Sequence, residues 1–504
     1  VHRTRILREK RPELDENQAA ARHAIHPEKC SCALCAPQSI RLAMARHDKG
    51  ISMKVQCLGA TDTVTGSKYV VDTGRVRVMV DCGLFQGYKA LRLRNWDALP
   101  VDPASLHAVV MTHAHIDHSG YLPLLIRNGF RGRVYCTLGT AQLCGVLLPD
   151  CAALAEEDAT YANRKGFSRH DPAMPLYTRA DAERAVHRLE AVRFDTRVPV
   201  GAGIDAEFSH AGHIIGAASV TLHVDGQRLV FSGDLGRLND PVMRAPAFLK
   251  HADWLFVEST YGDRRHPDVD PIEALGDIVN RTIDRGGTLV IPTFAVGRAQ
   301  SLLYCLYRLR QLRRLPDVPV YLNSPMAIAA TTIFARHVSE LRIDEASCAG
   351  ASDMARPVTS TEASVRLNAD RSPKIILAGS GMATGGRVVH HLEAFGPDPR
   401  NTILLSGFQA PGTRGARLCS GARQIRLHGK DIDIGAEVAQ IENLSAHADA
   451  EELMSWLKGF ERPPRQTFVV HGEPVASDAL RQRIEHELKW QVTMPEYRQK
   501  YSLE

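Results

Sequence analysis

From Met53 the chain alternates short apolar runs with polar, glycine-containing turns, the pattern of half-buried strands. Residues 54–59, 67–71 and 76–80 read as three such strands around a Gly/Thr-rich turn, and the apolar run 108–111 as a fourth. Further runs at 228–232, 254–257 and 467–470 extend the set. Five of these strands end on or just before an acid or a histidine: Asp81, His113, Asp234, Glu258 and His471. Function gathered at the carboxyl ends of strands is usual in open α/β layers.

Between about Asp263 and Gln440 the period changes. A strand at 288–291 precedes a helix from Gly297 with Leu302, Leu303, Leu306 and Leu309 at helical spacing, and strands at 318–322, 375–378 and 403–406 follow. Alternating strand and helix predicts a parallel sheet, so this stretch is expected to be an α/β domain inserted into the first fold. The boundaries expected are an extension at 1–52, a first domain at 53–263 and 441–504, and the insertion at 264–440.

A length of 504 residues with 44% hydrophobic and 24% charged residues suits a globular protein of two or three domains. No apolar run looks long enough to span a bilayer and no secretory signal is evident, so a cytoplasmic protein without a membrane partner is expected. Cys57, Cys82, Cys136 and Cys305 lie singly among apolar residues and read as reduced, buried thiols. The net charge is +5, yet residues 1–50 hold ten Lys/Arg against six Asp/Glu and the rest is near neutral at 52 against 51. Any affinity for a polyanion must then come from local patches. Within the extension, Cys30, Cys32 and Cys35 with a nearby histidine offer a structural zinc site; the alternative is a partly ordered tail with surface thiols.

The densest chemistry is Thr112-His113-Ala114-His115-Ile116-Asp117-His118, three imidazoles and a carboxylate in six consecutive residues from His113. Imidazole with carboxylate suits Zn²⁺ and other divalent first-row metals. On a helix His113 and His115 would diverge, and on a strand His118 would leave the face shared by His115 and Asp117. A strand-to-helix loop is therefore predicted, with the helix starting near Tyr121. His213 sits between small residues that permit close backbone approach, and Asp234 after Gly233 offers a carboxylate able to bridge two cations. Six or more candidate ligands exceed the four of one structural zinc and predict two metals. Such a pair generates a hydroxide nucleophile at neutral pH and stabilises charge on the attacked group.

These motifs resemble the metallo-β-lactamase superfamily, whose signature is His-x-His-x-Asp-His. More specifically, the chain is similar to the β-CASP nucleases typified by the endonuclease subunit of the cleavage and polyadenylation specificity factor and its bacterial relatives. The likeness runs from Met53 to about Glu473 and includes an acidic motif at Glu258, a second at His447 in Ser445-Ala446-His447 and a third at His471 in Val470-His471-Gly472. It implies a four-layer αββα sandwich carrying an inserted parallel-sheet α/β domain. It also implies that His113, His115 and His213 hold one metal, that Asp117, His118 and His471 hold the other, and that Asp234 bridges, with Asp81 orienting ligands. His447 would be the general acid and Glu258 its partner. Two divalent ions, Zn²⁺ above all, single-stranded RNA as substrate and a homodimer are the cofactor and partner expectations. A histidine at the third motif resembles the RNA-acting members, whereas the DNA-repair members usually carry valine.

For the substrate path, Ser380, Gly381, Thr384, Gly385, Gly386 and Arg387 in a Gly-rich turn between strand and helix are candidate phosphate binders, as is Arg414. The alternative is a tight turn that packs domains. Asn323, Ser324 and Met326 form a weaker third candidate. The reading is a two-metal endoribonuclease with Asp117, His447 and Glu258 in catalytic roles. No large domain follows His471, unlike the RNase J group, so 5′-3′ exonuclease action is the alternative, with DNA cleavage, small-molecule hydrolysis or a non-catalytic RNA scaffold behind it.

Overall fold

The computed structural model describes residues 53–504 except 167 and 169, so Cys30, Cys32 and Cys35 lie outside the described residues. Two seven-stranded sheets pack face to face. In spatial order the first runs Lys500–Leu503, Met53–Cys57, Tyr69–Asp72, Arg77–Val80, Ala108–Val110, Arg133–Thr137, Leu189–Val192. The second runs Val492–Thr493, Gln466–Val470, Trp254–Glu258, Gln227–Phe231, Ala218–Val224, Ile204–His210, Val198–Gly201.

Side-chain alternation sets the layers. Val78, Val80, Ala108 and Val110 enter the core shared with Phe231, Phe256 and Phe468 of the other sheet. Met79 and Val109, between them, join Tyr121, Leu125 and Leu143 of the outer helices. On the second sheet Leu255, Val257 and Val469 pack with Leu453, Trp456 and Leu457 of helix Ala450–Leu457. The result is the helix–sheet–sheet–helix order the resemblance implied. Phe231, Phe256 and Phe468 occupy matched positions on three adjacent parallel strands and stack with centroids 4.7 and 4.5 Å apart. This stack sits two or three residues upstream of Asp234, Glu258 and His471, and so fixes the register in which those residues emerge.

The chain leaves the second sheet after Glu258 and rejoins it beside the same strand at Gln466. Between these points lies a six-stranded parallel sheet, Arg356–Pro357, Val320–Asn323, Lys374–Ala378, Thr288–Pro292, Thr402–Ser406, Glu437–Ile441. Leu289 and Ile291 face the side of helices Pro271–Asp284 and Arg298–Gln311, while Val290 faces that of Arg387–Phe395. Burial on both faces explains why the inner strands Lys374–Ala378, Thr288–Pro292 and Thr402–Ser406 are mostly apolar.

Helix Leu138–Lys165 ties the two parts together, since its Leu143 and Leu147 share a core with Ala330, Ile333 and Phe334 of helix Pro325–Phe334. By length and composition alone this helix is long and apolar enough to cross a membrane. Its buried side includes Leu143, Leu147, Leu148 and Ala152, and is a core face here. Cys57, Cys82, Cys136 and Cys305 are free and buried, as expected.

Candidate metal centre

The helix expected near Tyr121 spans Leu122–Arg127, but Asp117 and His118 lie one step earlier, in a single turn of helix at Ile116–Ser119. The motif is thus part loop and part helix. Gly83 is required here: a Cβ on it would lie 1.5 Å from the Asp117 carbonyl oxygen. Gly233, at φ 58°, lacks a Cβ that would lie 2.8 Å from the Thr112 Cβ.

Two groups of side chains meet at Asp234. In the first, His115 Nδ1 lies 3.2 Å from His113 Nε2 and 3.0 Å from His213 Nε2. In the second, His471 Nε2 lies 3.1 Å from His118 Nε2 and 3.5 Å from Asp117 Oδ2. Asp234 turns Oδ2 to the first group, 3.3 Å from His113 and 3.6 Å from His213. It turns Oδ1 to the second, 3.3 Å from His118 Nε2; His471 approaches this oxygen at 3.5 Å through Nδ1, the nitrogen that Thr260 also reaches. Tetrahedral ligands about 2.1 Å from a zinc ion stand about 3.4 Å apart, so these edges fit divalent cations. Asp234 Oδ1, buried and without a hydrogen-bond partner, fits the same reading.

The outer nitrogens are held by the protein, which selects the nitrogen left for the centre. His113 Nδ1 is 3.1 Å from the Thr112 hydroxyl, His118 Nδ1 2.8 Å from Asp81, His213 Nδ1 3.1 Å from the Ala446 carbonyl, and His471 Nδ1 3.1 Å from the Thr260 hydroxyl. Only the outer nitrogen of His115, Nε2, is buried with no partner. Asp81 is fixed in turn by the amide and hydroxyl of Thr112, at 2.7 and 2.8 Å. Sequence reasoning missed Thr112 and Thr260 as orienting groups, because a lone threonine carries no signal of what it touches.

Burial pushes His115 down to about 3 and lowers His113 and His213 as well, leaving neutral rings with a free lone pair. His118 runs the other way: burial lowers it, but the carboxylates of Asp234 and Asp81 overcome that and raise it well above the ordinary range. Burial raises Asp117 and Asp234, and the surrounding imidazoles more than reverse this, so both carboxyls titrate below their usual range.

At the rim, His447 places Nδ1 3.2 Å from Glu258 Oε2 and 4.0 Å from Asp234. Glu258 is 1% exposed and also accepts the amides of Leu235 and Thr260, at 2.5 and 3.3 Å. Burial lowers His447, and the Glu258 charge and hydrogen bond outweigh it, so the ring titrates above its ordinary range.

The Gly-rich turn is built differently from the expectation. The Ser380 hydroxyl accepts the Thr384 and Gly385 amides, at 3.0 and 3.3 Å, so the turn already satisfies these donors. The Arg387 guanidinium donates to Asn323 and to the Val358 and Thr359 carbonyls, and that of Arg414 to the carbonyls of Ala383, Thr384 and Arg426. Both arginines brace backbone, because their partners, distant in sequence, fold over them. Gly381 packs its bare face on Phe294, and Gly386, at φ 70°, packs on Gly379. Asn323 bonds Ser364 and His391, and Ser324 caps helix Pro325–Phe334.

Fold and donor set together define a metallo-hydrolase built on an αββα sandwich. Family models match in succession: the metallo-beta-lactamase superfamily over residues 62–272, the Beta-Casp domain over 299–418, and the Zn-dependent metallo-hydrolase RNA specificity domain over 431–495. Ribonuclease TTHA0252 of Thermus thermophilus is 36% identical over 84% of this chain and 93% of its own. The transcription termination factor FttA of Methanosarcina mazei is 32% identical over 87% of this chain and 69% of its own. A protein of unknown function from Enterococcus faecalis V583 shares the fold, with TM-score 0.50 at 15% identity over 90% of this chain and 100% of its own. The chain belongs to the β-CASP family of the metallo-β-lactamase superfamily.

Proposed function

We propose that this protein is a metal-dependent endoribonuclease that hydrolyses phosphodiester bonds in single-stranded RNA, leaving a 3′-hydroxyl and a 5′-phosphate. The observation that carries this is Asp234, whose two oxygens face two separate ligand groups beside the His447–Glu258 pair. His113, His115 and His213 would hold one cation and Asp117, His118 and His471 the other, with Asp234 shared; zinc suits this set, and bound cations supply a nucleophile from water and neutralise phosphate charge. TTHA0252, named a ribonuclease, and the RNA specificity domain over 431–495 support RNA as substrate. So does histidine at position 471, by the resemblance noted above.

The remaining chemistry falls to side chains. An alkoxide leaves phosphorus poorly, and a proton delivered as the P–O bond breaks relieves this. His447 is placed to deliver it: Nδ1 is engaged by Glu258, so Nε2 is the nitrogen left to carry the proton to the departing 3′ oxygen. Asp81, Thr112 and Thr260 hold the imidazoles of the centre in fixed orientation.

A circular RNA tests the mode of attack. Conversion of circles to linear products by the metal-replete protein is the expected result. Intact circles alongside degraded linear RNA of the same sequence would overturn the endonuclease assignment in favour of an exonuclease.

A further inference from the structure

Arg387 and Arg414 are occupied within the fold, but another arginine is not. Arg298 opens helix Arg298–Gln311, is 8% exposed, and its Nε is buried with no hydrogen-bond partner. Among the described residues its guanidinium makes no hydrogen bond and no ion pair within 4 Å. Asp240, whose charge acts on it, accepts the amides of Val242 and Met243 at 2.7 Å. Burying a guanidinium so incompletely paired is costly, and the cost is met when an anion arrives.

The surroundings point to the same ligand. Arg237 also acts electrostatically on Arg298, but it is paired within the fold: Nη1 donates to the Asn443 carbonyl and Nε lies 3.5 Å from a Glu452 carboxylate oxygen. The like charge of Arg237 makes the buried Arg298 cation less favourable still. The Ser406 hydroxyl, at the end of strand Thr402–Ser406, is buried and unpartnered too. The next residue, Gly407, lacks a Cβ that would stand 3.2 Å from an Arg298 guanidinium nitrogen.

This place adjoins the reaction centre. Phe408, following Gly407, meets the Tyr261 ring edge-on at 6.0 Å, and Tyr261 lies 6.3 Å from the His447 ring. Tyr261 is also within the electrostatic reach of Arg298. A guanidinium fork matches phosphate oxygens, and the N-terminus of a fourteen-residue helix adds its dipole. We propose that Arg298, from the inserted domain, binds an RNA backbone phosphate next to the one being cut. The inference rests on the nuclease reading above and makes Arg298 a substrate-positioning residue.

The test compares wild type, Arg298→Gln and Arg298→Lys on an RNA oligonucleotide and on bis(p-nitrophenyl) phosphate, a diester with no neighbouring phosphate. Arg298→Gln is expected to raise KM for RNA roughly tenfold with kcat nearly unchanged. It should lower the slope of log KM against log salt by about 0.7. Arg298→Lys, which keeps the charge and loses the fork, should fall between. Hydrolysis of the small diester should be unaffected in both variants. An unchanged KM for RNA, or parallel loss on both substrates, would overturn the inference. A wild type that cleaves the small diester but no RNA would overturn the nuclease reading itself, and the inference with it.

Discussion

His447 Nδ1 stands 3.2 Å from the buried Glu258 carboxylate, a pair joined across 189 residues of chain. Against the effect of burial, the carboxylate raises the ring above its ordinary titration range, which favours the protonated form. A rate that needs this proton falls as pH rises through the raised value. Glu258→Gln removes the charge that raised it, so the alkaline fall should move to lower pH, with neutral kcat down by about 10²-fold. A pH–rate profile of both proteins checks this; a limb that stays in place would separate Glu258 from the role.

The shared position of Asp234 predicts metal content. Asp117→Ala should retain one ion per chain, because the group of His113, His115 and His213 is untouched. Asp234→Ala should fall below one, since each group loses an oxygen 3.3 Å away. Metal analysis after dialysis measures both. Equal losses in the two variants would contradict a bridging position.

Thr112 reaches both groups, through Asp81 on one side and His113 on the other. Thr112→Val keeps the shape and removes the hydroxyl, and metal affinity should drop roughly 10- to 100-fold. Titration against a chelator of known affinity reads this directly.

Lys68 is buried, donates to the Gly83 carbonyl at 2.6 Å and lies 4.5 Å from the Phe85 ring centre. Burial lowers it from 10.5 to about 8. The folded state thus sheds this proton more readily than the unfolded chain, so its contribution to stability rises as pH climbs from about 8 to 10.5. Over that window wild type should gain on Lys68→Met by an amount on the order of 3 kcal/mol. Denaturant midpoints of the two proteins across that range provide the measurement, and parallel curves would contradict it.

Much of this was written locally in the chain. Apolar runs that end in Asp81, His113, Asp234, Glu258 and His471 reveal both the strands and their business ends, because alternation and strand termination are local properties. Alternation at Ile204, Ala206 and Phe208, and the stripe of Leu143, Leu147 and Leu148, carried signals that went unread, and with them a strand and the long helix. The arginines were different. Arg387 and Arg414 sit in Gly-rich contexts that look like phosphate cradles, yet their partners are backbone carbonyls brought in by tertiary packing. Arg298 looks like any residue of a helix first turn; its significance lies in what does not pair with it. Whether a donor is satisfied is decided by the fold.

The most direct test of a two-metal ribonuclease is an end-labelled oligonucleotide, in RNA and DNA versions, incubated with metal-replete wild type and with His447→Ala. Internal cuts confined to RNA, abolished on metal removal and severely slowed by His447→Ala, are the predicted result. Tight RNA binding without cleavage by the metal-replete wild type would contradict it.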